Sequence, residues 1–253
     1  MSFAIYPSLE NVAVYVTGGA SGIGAAVVRA FAEQKARVAF VDIDAVGGQE
    51  LCDELTERGA SVHFEACDLR DIAGLQAAFA ALKRSAGPAG VLINNAARDD
   101  RHDWRDVTPD YFDERISTNL RHIYFAIQTV APDMIAAGKG SIVNFGSNSW
   151  MQGMGGLPIY ATAKSAVHGL TRSFARDLGQ HRIRVNTIVP GWIMTERQKA
   201  YWASPEGIAR HLERQCLPDL IAPDHVARMV LFLASDDSAM CTANNYMVEA
   251  GSI

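Results

Sequence analysis

The chain has 253 residues, of which 49% are hydrophobic and 20% are charged, and its formal net charge at pH 7 is −5. That length and composition suit one folded domain with a sizeable core. The acidic balance argues against a nucleic-acid partner and against a polybasic membrane anchor, because both need clustered basic residues. No apolar stretch is long enough to cross a membrane, and the first residues do not read as a secretory leader. We therefore expect a cytoplasmic protein with no nucleic-acid or membrane partner.

The cysteine and histidine positions argue against two common kinds of site. The four cysteines are scattered and form no C-x-x-C pair, which favours neither a disulfide framework nor a zinc site. The seven histidines show no metal-ligand spacing either. We therefore expect no metal in this protein.

Apolar, β-branched runs alternate with helical segments along the chain. Strands are predicted at residues 12–17, 37–42, 61–67, 91–95, 141–145, 184–189 and 246–249. Helices are predicted at residues 22–34, 49–58, 71–85, 110–135 and 159–179. Strands that are apolar throughout are typical of a parallel sheet with both faces covered. The pattern therefore predicts an α/β fold, a single doubly wound Rossmann-type parallel sheet with helices on both faces.

The first predicted strand ends in a glycine-rich turn, TGGASGIG over residues 17–24, and a predicted helix follows at once. Glycines here permit a tight turn, a close approach of backbone to a pyrophosphate, and close packing of helix on strand. The free N–H groups at the start of that helix favour an anionic ligand. The alternative is a plain tight turn between a strand and a helix. The pattern indicates a dinucleotide site with contacts from Gly18, Ser21, Gly22 and Ile23.

Asp42 closes the second predicted strand, eighteen residues after Gly24. A carboxylate at that position accepts hydrogen bonds from the ribose hydroxyls of adenosine and repels a 2′-phosphate. No Lys or Arg lies in the glycine turn or just after Asp42 to neutralise such a phosphate. We therefore expect NAD rather than NADP as the cofactor. The alternative is a solvated aspartate at a strand end.

One segment, residues 195–223, breaks the alternation of strands and helices. It follows the sixth predicted strand and is rich in Trp, Arg and Gln. Ligands of such sheets bind beyond the carboxyl ends of the strands, so an insertion here is placed to cover the substrate. No repeat, linker or low-complexity segment divides the chain. We expect a single dinucleotide-binding and catalytic domain over residues 1–253.

Tyr160 and Lys164 are four residues apart on a predicted helix and so share one face. A free tyrosine is a poor base at neutral pH, and a neighbouring ammonium group favours its phenolate form. Such a phenolate removes a hydroxyl proton while a hydride leaves the same carbon for a nicotinamide. Ser147 is placed to hydrogen-bond the reacting oxygen. The alternative is an amphipathic surface pair, which is common on helices.

These motifs together resemble those of the short-chain dehydrogenase/reductase family, and the resemblance covers essentially the whole chain. Four features match the family's pattern: the glycine turn at residues 17–24, the NNAA run at residues 94–97, the Y-x-x-x-K motif of Tyr160 and Lys164, and Ser147 thirteen residues before that tyrosine. Two positions depart from it. Ala97 stands where the family commonly has Gly, and residues 248–251 read VEAG where Asp-Gly-Gly is common.

The resemblance implies roles for further residues. Lys164 is implied both to tune Tyr160 and to hold the nicotinamide ribose, and Asn119 in the long helix is implied to support Lys164 through water. The expected catalytic set is therefore Asn119, Ser147, Tyr160 and Lys164. The positions after the sixth strand that are implied to contact the nicotinamide are Gly191, Ile193 and Thr195.

Two short segments near the predicted cofactor keep two interpretations each. Asn95 and Ala96 lie at the end of the fourth strand. They either belong to a loop that passes under the adenosine ribose of the cofactor or only form a structural turn. Asp68 and Leu69 follow the third strand as candidate adenine contacts, or else Asp68 caps the helix that starts near Asp71.

Polar and indole side chains occur in the two segments expected to flank Tyr160. Amides and hydroxyls beside indole rings suit a sugar, which presents hydroxyls at its edge and C–H groups on its faces. The alternative for each residue is loop packing or a contact between subunits. Residues 99–102 either line the entrance or cap the long helix. The candidate substrate contacts are Ser147, Ser149, Tyr160, Trp192 and Gln198, with Asn148, Trp150 and Gln152 nearby.

A narrower likeness is to bacterial aldose 1-dehydrogenases, carried by segments such as AIYPSL at residues 4–9, DDRH at 99–102 and PGWIMTERQ at 190–198. It implies NAD-dependent oxidation of the C1 hydroxyl of an aldose to the lactone, with D-xylose or a related pentose or 6-deoxyhexose as the substrate. Two other functions stay open: reduction of ketones or 3-oxoacyl thioesters on the same scaffold, and dinucleotide binding without catalysis. The family resemblance also implies a homotetramer.

Overall fold

The structure is a computed structural model that describes residues 3–252. Its strands are β1 (Ala13–Thr17), β2 (Arg37–Asp42), β3 (Val62–Ala66), β4 (Val91–Asn94), β5 (Gly140–Phe145), β6 (Ile183–Pro190) and β7 (Asn245–Val248). All neighbouring strands pair in parallel, in the order β3-β2-β1-β4-β5-β6-β7. The predicted doubly wound Rossmann-type sheet is confirmed.

Helices cover both faces of this sheet. They are α1 (Gly22–Glu33), α2 (Ala45–Glu57), α3 (Ile72–Ala86), α4 (Pro109–Ile116), α5 (His122–Ala137), α6 (Pro158–Leu178), α7 (Glu196–Tyr201), α8 (Pro205–Leu212) and α9 (Pro223–Ala234). One core cluster packs α1, α2 and α9 on one face, and a second packs α3, α5 and α6 on the other. Alternate residues of β1 enter the two clusters, which explains why this strand is apolar throughout.

One helix starts well before its predicted bound, and three helices were not predicted. Helix α2 begins at Ala45 rather than residue 49, because the Asp44 side chain accepts a hydrogen bond from the Gly47 N–H and caps the helix four residues earlier. The segment 195–223 holds two short helices, α7 and α8. Helix α9 was not predicted, although its apolar side chains pack directly on α1.

The long helix predicted at residues 110–135 is continuous but irregular. Helices α4 and α5 are joined by a π-helical turn, Ser117–Arg121. Such turns are rare and occur often at functional sites. This turn carries Asn119, which is fully buried.

A buried ladder of polar side chains ties together the strand ends that bear the site. Asn94 on β4 donates to Asn144 on β5 over 2.9 Å, and Asn144 donates to Thr171 on α6 over 2.9 Å. Thr187 on β6 closes the ladder, with its hydroxyl 2.8 Å from that of Thr171. These bonds hold three neighbouring strands and α6 in fixed register below the site.

Within residues 3–252, no helix is long and apolar enough to span a bilayer.

Candidate active site

A cleft of about 1220 Å³ opens beyond the carboxyl ends of the central strands. It includes the gap between β1 and β4, where the strand order reverses and where ligands of such sheets bind. Apart from Asn119, all of the predicted catalytic, cofactor and substrate residues line this one cleft: Gly18, Ser21, Gly22, Ile23, Asp42, Asp68, Leu69, Asn95, Ala96, Ser147, Ser149, Tyr160, Lys164, Gly191, Trp192, Ile193, Thr195 and Gln198.

Two glycines of the turn between β1 and α1 are required by close contacts. Gly18 has φ +68°, and a methyl group there would lie 2.7 Å from Cα of Ala96. A methyl group at Gly24 would lie 1.8 Å from the carbonyl oxygen of Gly18. The turn therefore folds tightly and leaves the first N–H groups of α1 facing the cleft, because the Ser21 side chain does not cap them. This cradle fits a pyrophosphate.

The Asp42 carboxylate is held beside that turn by two backbone donors. Oδ2 accepts from the Ala20 N–H over 2.9 Å, and Oδ1 accepts from the Asp44 N–H over 3.0 Å. Each oxygen keeps a lone pair for the hydroxyls of a ribose. Arg70, which also lines the cleft, is paired with the carboxylates of Asp68 and Glu114. Its charge is therefore already compensated.

Asp68 does not cap the third helix. The N-cap of α3 is Asp71, and the Asp68 carboxylate instead accepts from the N–H of Arg70 over 2.9 Å and pairs with its guanidinium. These bonds hold the pKa of Asp68 below its usual range. The capping interpretation is therefore wrong, and Asp68 and Leu69 both face the cleft.

Asn95 joins the end of β4 to the glycine turn. Its side-chain amide donates to the carbonyls of Thr17 and Gly18 over 3.2 and 2.8 Å. In return, the Thr17 hydroxyl accepts from the N–H groups of Asn95 and Ala96. Asn95 therefore shapes the turn, as the structural interpretation expected, and also forms part of the cleft wall.

The catalytic candidates meet where β5 ends against α6. Tyr160 and Lys164 lie one helical turn apart, with Lys164 Nζ 5.8 Å from the centroid of the Tyr160 ring. Lys164 is 1% exposed and donates to the carbonyl of Phe145 over 2.8 Å. Ser147, two residues after Phe145, lies close enough to the Tyr160 hydroxyl to act on it and donates to Ser149 over 3.0 Å. A serine hydroxyl, a phenol and a buried lysine thus share one corner of the cleft.

Burial dominates the titration of this corner. Burial raises the pKa of Tyr160 and the charge of Asp99 raises it further, whereas the hydrogen bond with Ser147 and the charge of Arg101 oppose the rise. Burial also lowers the pKa of Lys164 to about 7. We expected the Lys164 ammonium to lower the pKa of Tyr160. The shift is instead upward, because both groups are withdrawn from water.

Asn119 lies behind the cleft wall rather than in it. Its side-chain amide donates to the carbonyl of Arg115 over 2.9 Å, and its Oδ1 accepts from the backbone N–H of Arg98 over 2.8 Å. The π-helical turn that carries Asn119 is thereby tied to the loop after β4. The implied support of Lys164 through water stays a prediction.

Comparison with known proteins identifies the family. A family model described as enoyl-(acyl carrier protein) reductase matches residues 18–252. D-xylose 1-dehydrogenase of Caulobacter vibrioides is 47% identical over 251 residues, 99% of each chain. The probable galactose dehydrogenase GalD of Rhizobium meliloti is 48% identical over 247 residues, 97% of this chain and 96% of that protein. The chain is a short-chain dehydrogenase/reductase.

A solved structure shows the same fold over nearly the whole chain. This is a 3-oxoacyl-(acyl-carrier protein) reductase of Brucella melitensis with bound NAD, which has a TM-score of 0.89 and 30% identity and covers 98% of this chain and 94% of that chain. As an oxidoreductase of its family, the dehydrogenase acts on CH–OH groups with a nicotinamide dinucleotide, NAD or NADP.

At the substrate end of the cleft, two predicted contacts of the dehydrogenase are joined to each other. Trp192 Nε1 donates to Gln198 Oε1 over 2.9 Å, and Gln198 Nε2 donates to Asp99 Oδ2 over 2.8 Å. An indole N–H only donates and a carboxylate only accepts, so the orientation of the Gln198 amide is defined. Asp99 belongs to the segment that was expected either to line the entrance or to cap the long helix; it lines the cleft.

Of three neighbouring candidates, Asn148 and Gln152 line the cleft but are bound to Ser252, and Trp150 lies outside it. Asn148 Nδ2 donates to the Ser252 hydroxyl over 3.3 Å, and Gln152 Nε2 donates to the Ser252 carbonyl over 3.0 Å. Trp150 is 37% exposed and packs edge-on against His168 in a separate shallow depression. Ser252 lies a hundred residues away in the sequence, so no local pattern points to these contacts.

The residues after β6 close the cleft over the glycine turn. The Thr195 hydroxyl caps α7 by accepting from the Gln198 N–H over 3.2 Å, and its methyl group faces Gly22. Ile193 pairs with Ile221 at the far end of the insertion, and the Gly191 N–H donates to Val248. The start and end of the insertion are therefore anchored to each other.

Several residues that line the cleft were not singled out from the sequence. They include Glu114, Thr118, Arg210, His211 and Arg214. Arg210 and His211 lie in the last turn of α8 and Arg214 lies just after it, so their place beside the cleft depends on a helix that was not predicted from the sequence. Among residues 3–252, no group of His, Cys, Asp and Glu side chains is arranged to hold a metal ion.

Proposed function

We propose that this protein is an NAD-dependent aldose 1-dehydrogenase. Its substrate is a cyclic aldose, D-xylose or a related pentose or 6-deoxyhexose, and its product is the corresponding lactone. The observation that carries the proposal is the 47% identity to a D-xylose 1-dehydrogenase over 99% of both chains, together with Ser147, Tyr160 and Lys164 in one corner of the cleft.

In the proposed reaction, the Tyr160 phenolate removes the proton of the C1 hydroxyl, and Ser147 hydrogen-bonds the same oxygen as charge develops on it. The bound dinucleotide supplies the acceptor for the hydride that leaves C1. Lys164 holds the nicotinamide ribose and, while it is protonated, provides a positive charge near the phenolate. Asn119 is a positioning residue, since it ties the π-helical turn to the loop after β4.

The proposed choice of NAD rests on Asp42. Its carboxylate is held beside the glycine turn. There it accepts hydrogen bonds from the ribose hydroxyls of adenosine and repels a 2′-phosphate. The residues that would hold the dinucleotide are Gly18, Ser21, Gly22, Ile23, Asp42, Asp68, Leu69, Asn95, Ala96, Tyr160, Lys164, Gly191, Ile193 and Thr195.

We further propose that residues 195–223 form a lid over the substrate within a single catalytic domain. The side chain of Gln198 joins this segment by a hydrogen bond to Asp99 on the loop after β4. Trp192, which donates to Gln198, lies just after the end of β6. Ser147, Ser149, Tyr160, Trp192 and Gln198 are the proposed substrate contacts. Closure of such a lid excludes water from the hydride transfer.

A homotetramer is proposed on the family's pattern and on exposed aromatic rings of α5 and α6. Tyr124 is 47% exposed, and its ring lies 5.2 Å from that of Phe174. Apolar rings left in water favour burial between subunits. Light scattering of the purified protein tests this proposal; a monomer mass at micromolar concentration would contradict it.

The function is tested by initial rates of NADH formation with the purified protein and a panel of aldoses: xylose, arabinose, fucose, rhamnose, galactose and glucose. NAD and NADP are compared in parallel. We expect rapid turnover of one or two sugars with NAD. If no sugar is oxidised while NAD binds normally, the proposed substrate class is wrong.

A second candidate function is the reduction of 3-oxoacyl thioesters. It is favoured by the likeness to the Brucella melitensis reductase and by the description of the matching family model. Asp42 weighs against it, since reductases of this kind usually prefer NADPH. Acetoacetyl-CoA with NADPH separates the two: fast reduction together with silence on the sugar panel would favour the reductase.

A further inference from the structure

Asp99 presents an unfilled hydrogen-bond acceptor to the substrate end of the cleft. Its carboxylate is 24% exposed, and Oδ2 accepts from Gln198 Nε2 over 2.8 Å. Arg197 Nε lies 3.8 Å from Oδ1, beyond hydrogen-bond distance. Among residues 3–252, no hydrogen-bond donor reaches Oδ1. A half-buried carboxylate that keeps a free oxygen beside a cleft is suited to accept a hydroxyl proton from a ligand.

The backbone around Asp99 is held rigidly. The preceding N–H, that of Arg98, donates to Asn119 Oδ1 over 2.8 Å. The following carboxylate, Asp100, is bound by the guanidinium groups of Arg115 and Arg197 and does not line the cleft. The two adjacent aspartates therefore differ in their surroundings: Asp100 is tied up by arginines, whereas Asp99 faces the ligand space.

Both the carbonyl and the NH₂ group of the Gln198 side chain already have hydrogen-bond partners in the protein. Its carbonyl accepts from the Trp192 indole and its NH₂ donates to Asp99. Gln198 therefore orients Asp99 and Trp192 before a ligand arrives, which lowers the cost of fixing them on binding. Asp99 Oδ1, in contrast, is a charged acceptor that is still open at this end of the cleft.

The charge of Asp99 also reaches the catalytic corner. The charged groups that act on the Tyr160 hydroxyl are Asp99 and Arg101 from the loop after β4, with Lys164 beside the ring from α6. Asp99 itself faces Arg197 from α7. The carboxylate of Asp99 is thus near enough to influence a group bound at Tyr160 and lies on the lid side of it.

We propose that Asp99 is a specificity-determining residue that accepts a hydrogen bond from the C2 hydroxyl of the aldose. The proposal rests on the proposed function, because it places the C1 hydroxyl at Tyr160 and Ser147. In a cyclic aldose the hydroxyl nearest to that oxygen is the one on C2. A carboxylate that binds the sugar in this way rejects one without that hydroxyl, because the partly desolvated Oδ1 is then left without a hydrogen bond.

The test compares D-galactose with 2-deoxy-D-galactose, and D-xylose with 2-deoxy-D-xylose, as substrates. Loss of the C2 oxygen removes an electron-withdrawing group and makes departure of the C1 hydride easier, so a slower reaction reports a lost contact. We expect kcat/KM of the wild type to fall roughly 100-fold or more for the 2-deoxy sugar. A fall of less than about threefold in the wild type would overturn the proposal without any variant.

Two variants sharpen the comparison. In Asp99→Ala, kcat/KM for the parent sugar should fall toward that for the 2-deoxy sugar, leaving a ratio of roughly 5 or less. In Asp99→Asn, loss of the charge should move the acid limb of the pH profile to lower pH by about half a unit or more. Asp106→Asn, on the exposed surface of the same loop, is the matched control and should change neither measurement.

The NAD dissociation constant and melting temperature of each variant establish that it is folded. A ratio that stays large in Asp99→Ala would overturn the proposal. If the wild type oxidised no aldose but another hydroxy compound, the proposed function would fail separately. The same comparison with that compound and its analogue lacking the adjacent hydroxyl would then decide the role of Asp99.

Discussion

Lys164 donates a hydrogen bond of 2.8 Å from its Nζ to the backbone carbonyl of Phe145, the last residue of β5. Ser147 follows two residues later, and Tyr160 lies one turn before Lys164 on α6. One buried contact therefore sets the distance between the strand end and the helix face that carry the catalytic candidates. The carbonyl leaves the other Nζ protons of Lys164 available to a ligand in the cleft.

Replacing Lys164 with Met should impair both binding and chemistry. The apolar side chain fills the same buried space but donates no hydrogen bond to Phe145 or to a ribose. We expect the dissociation constant for NAD to rise about tenfold and kcat to fall roughly 100-fold or more. Isothermal titration and initial rates measure the two effects. Lys139→Met, on an exposed loop, is the control, and equal losses in both variants would contradict the assignment.

Tyr160→Phe removes only the hydroxyl group of the proposed base. We expect kcat for sugar oxidation to fall roughly 1000-fold, a typical contribution of general base catalysis, while the dissociation constant for NAD stays within about threefold. Tyr124→Phe makes the same chemical change on the exposed face of α5 and should retain full activity. Unchanged NADH formation by Tyr160→Phe would show that another group removes the proton.

The rate of oxidation should rise with pH. Burial and the charge of Asp99 raise the pKa of Tyr160, so its phenolate form is populated only on the alkaline side of neutrality. We expect kcat/KM to increase about tenfold per pH unit below the apparent pKa and to level off above it. Rates between pH 6 and 10, with NAD binding measured at each pH, provide the test. A flat profile between pH 7 and 9 would mean that the phenolate is not limiting.

Asp42→Asn should relax the preference for NAD. The variant loses the charge that repels a 2′-phosphate but keeps groups that bind a ribose. We expect the NAD-to-NADP ratio of kcat/KM to fall from above roughly 100 to below roughly 10. The control is Asp44→Asn, since asparagine preserves the cap of α2 while removing a charge from the same end of the cleft. Equal use of both cofactors by the wild type would refute the expected role of Asp42.

The fold followed from the sequence because its strands carry a strong signal. The four central residues of RVAFVD at Arg37–Asp42 are consecutive apolar residues, which is typical of a strand covered on both faces. Helix α9 was missed because it begins at Pro223, the last residue of the irregular insertion, and was not separated from that insertion. The early start of α2 depends on one capping hydrogen bond at Asp44, which no periodicity reveals.

The site was predictable where the chemistry depends on spacing along one element. Tyr160 and Lys164 share a helix, and the glycine turn is contiguous, so both appear in the sequence. Contacts between distant segments do not. The bond between Asp99 and Gln198 joins residues 99 positions apart, and that between Gln152 and Ser252 joins residues 100 apart. Likewise, the π-helical turn at Asn119 reflects packing rather than composition.

The most direct test of the central claim follows the hydrogen on C1. D-xylose carrying deuterium at C1 is incubated with the protein and NAD, and the reduced cofactor is analysed by mass spectrometry. Oxidation at C1 predicts that the reduced cofactor gains one deuterium and that the rate is lower than with unlabelled sugar. Reduced cofactor without deuterium, formed while the sugar keeps its label, would show that the hydride leaves another carbon and would contradict the assignment as a 1-dehydrogenase.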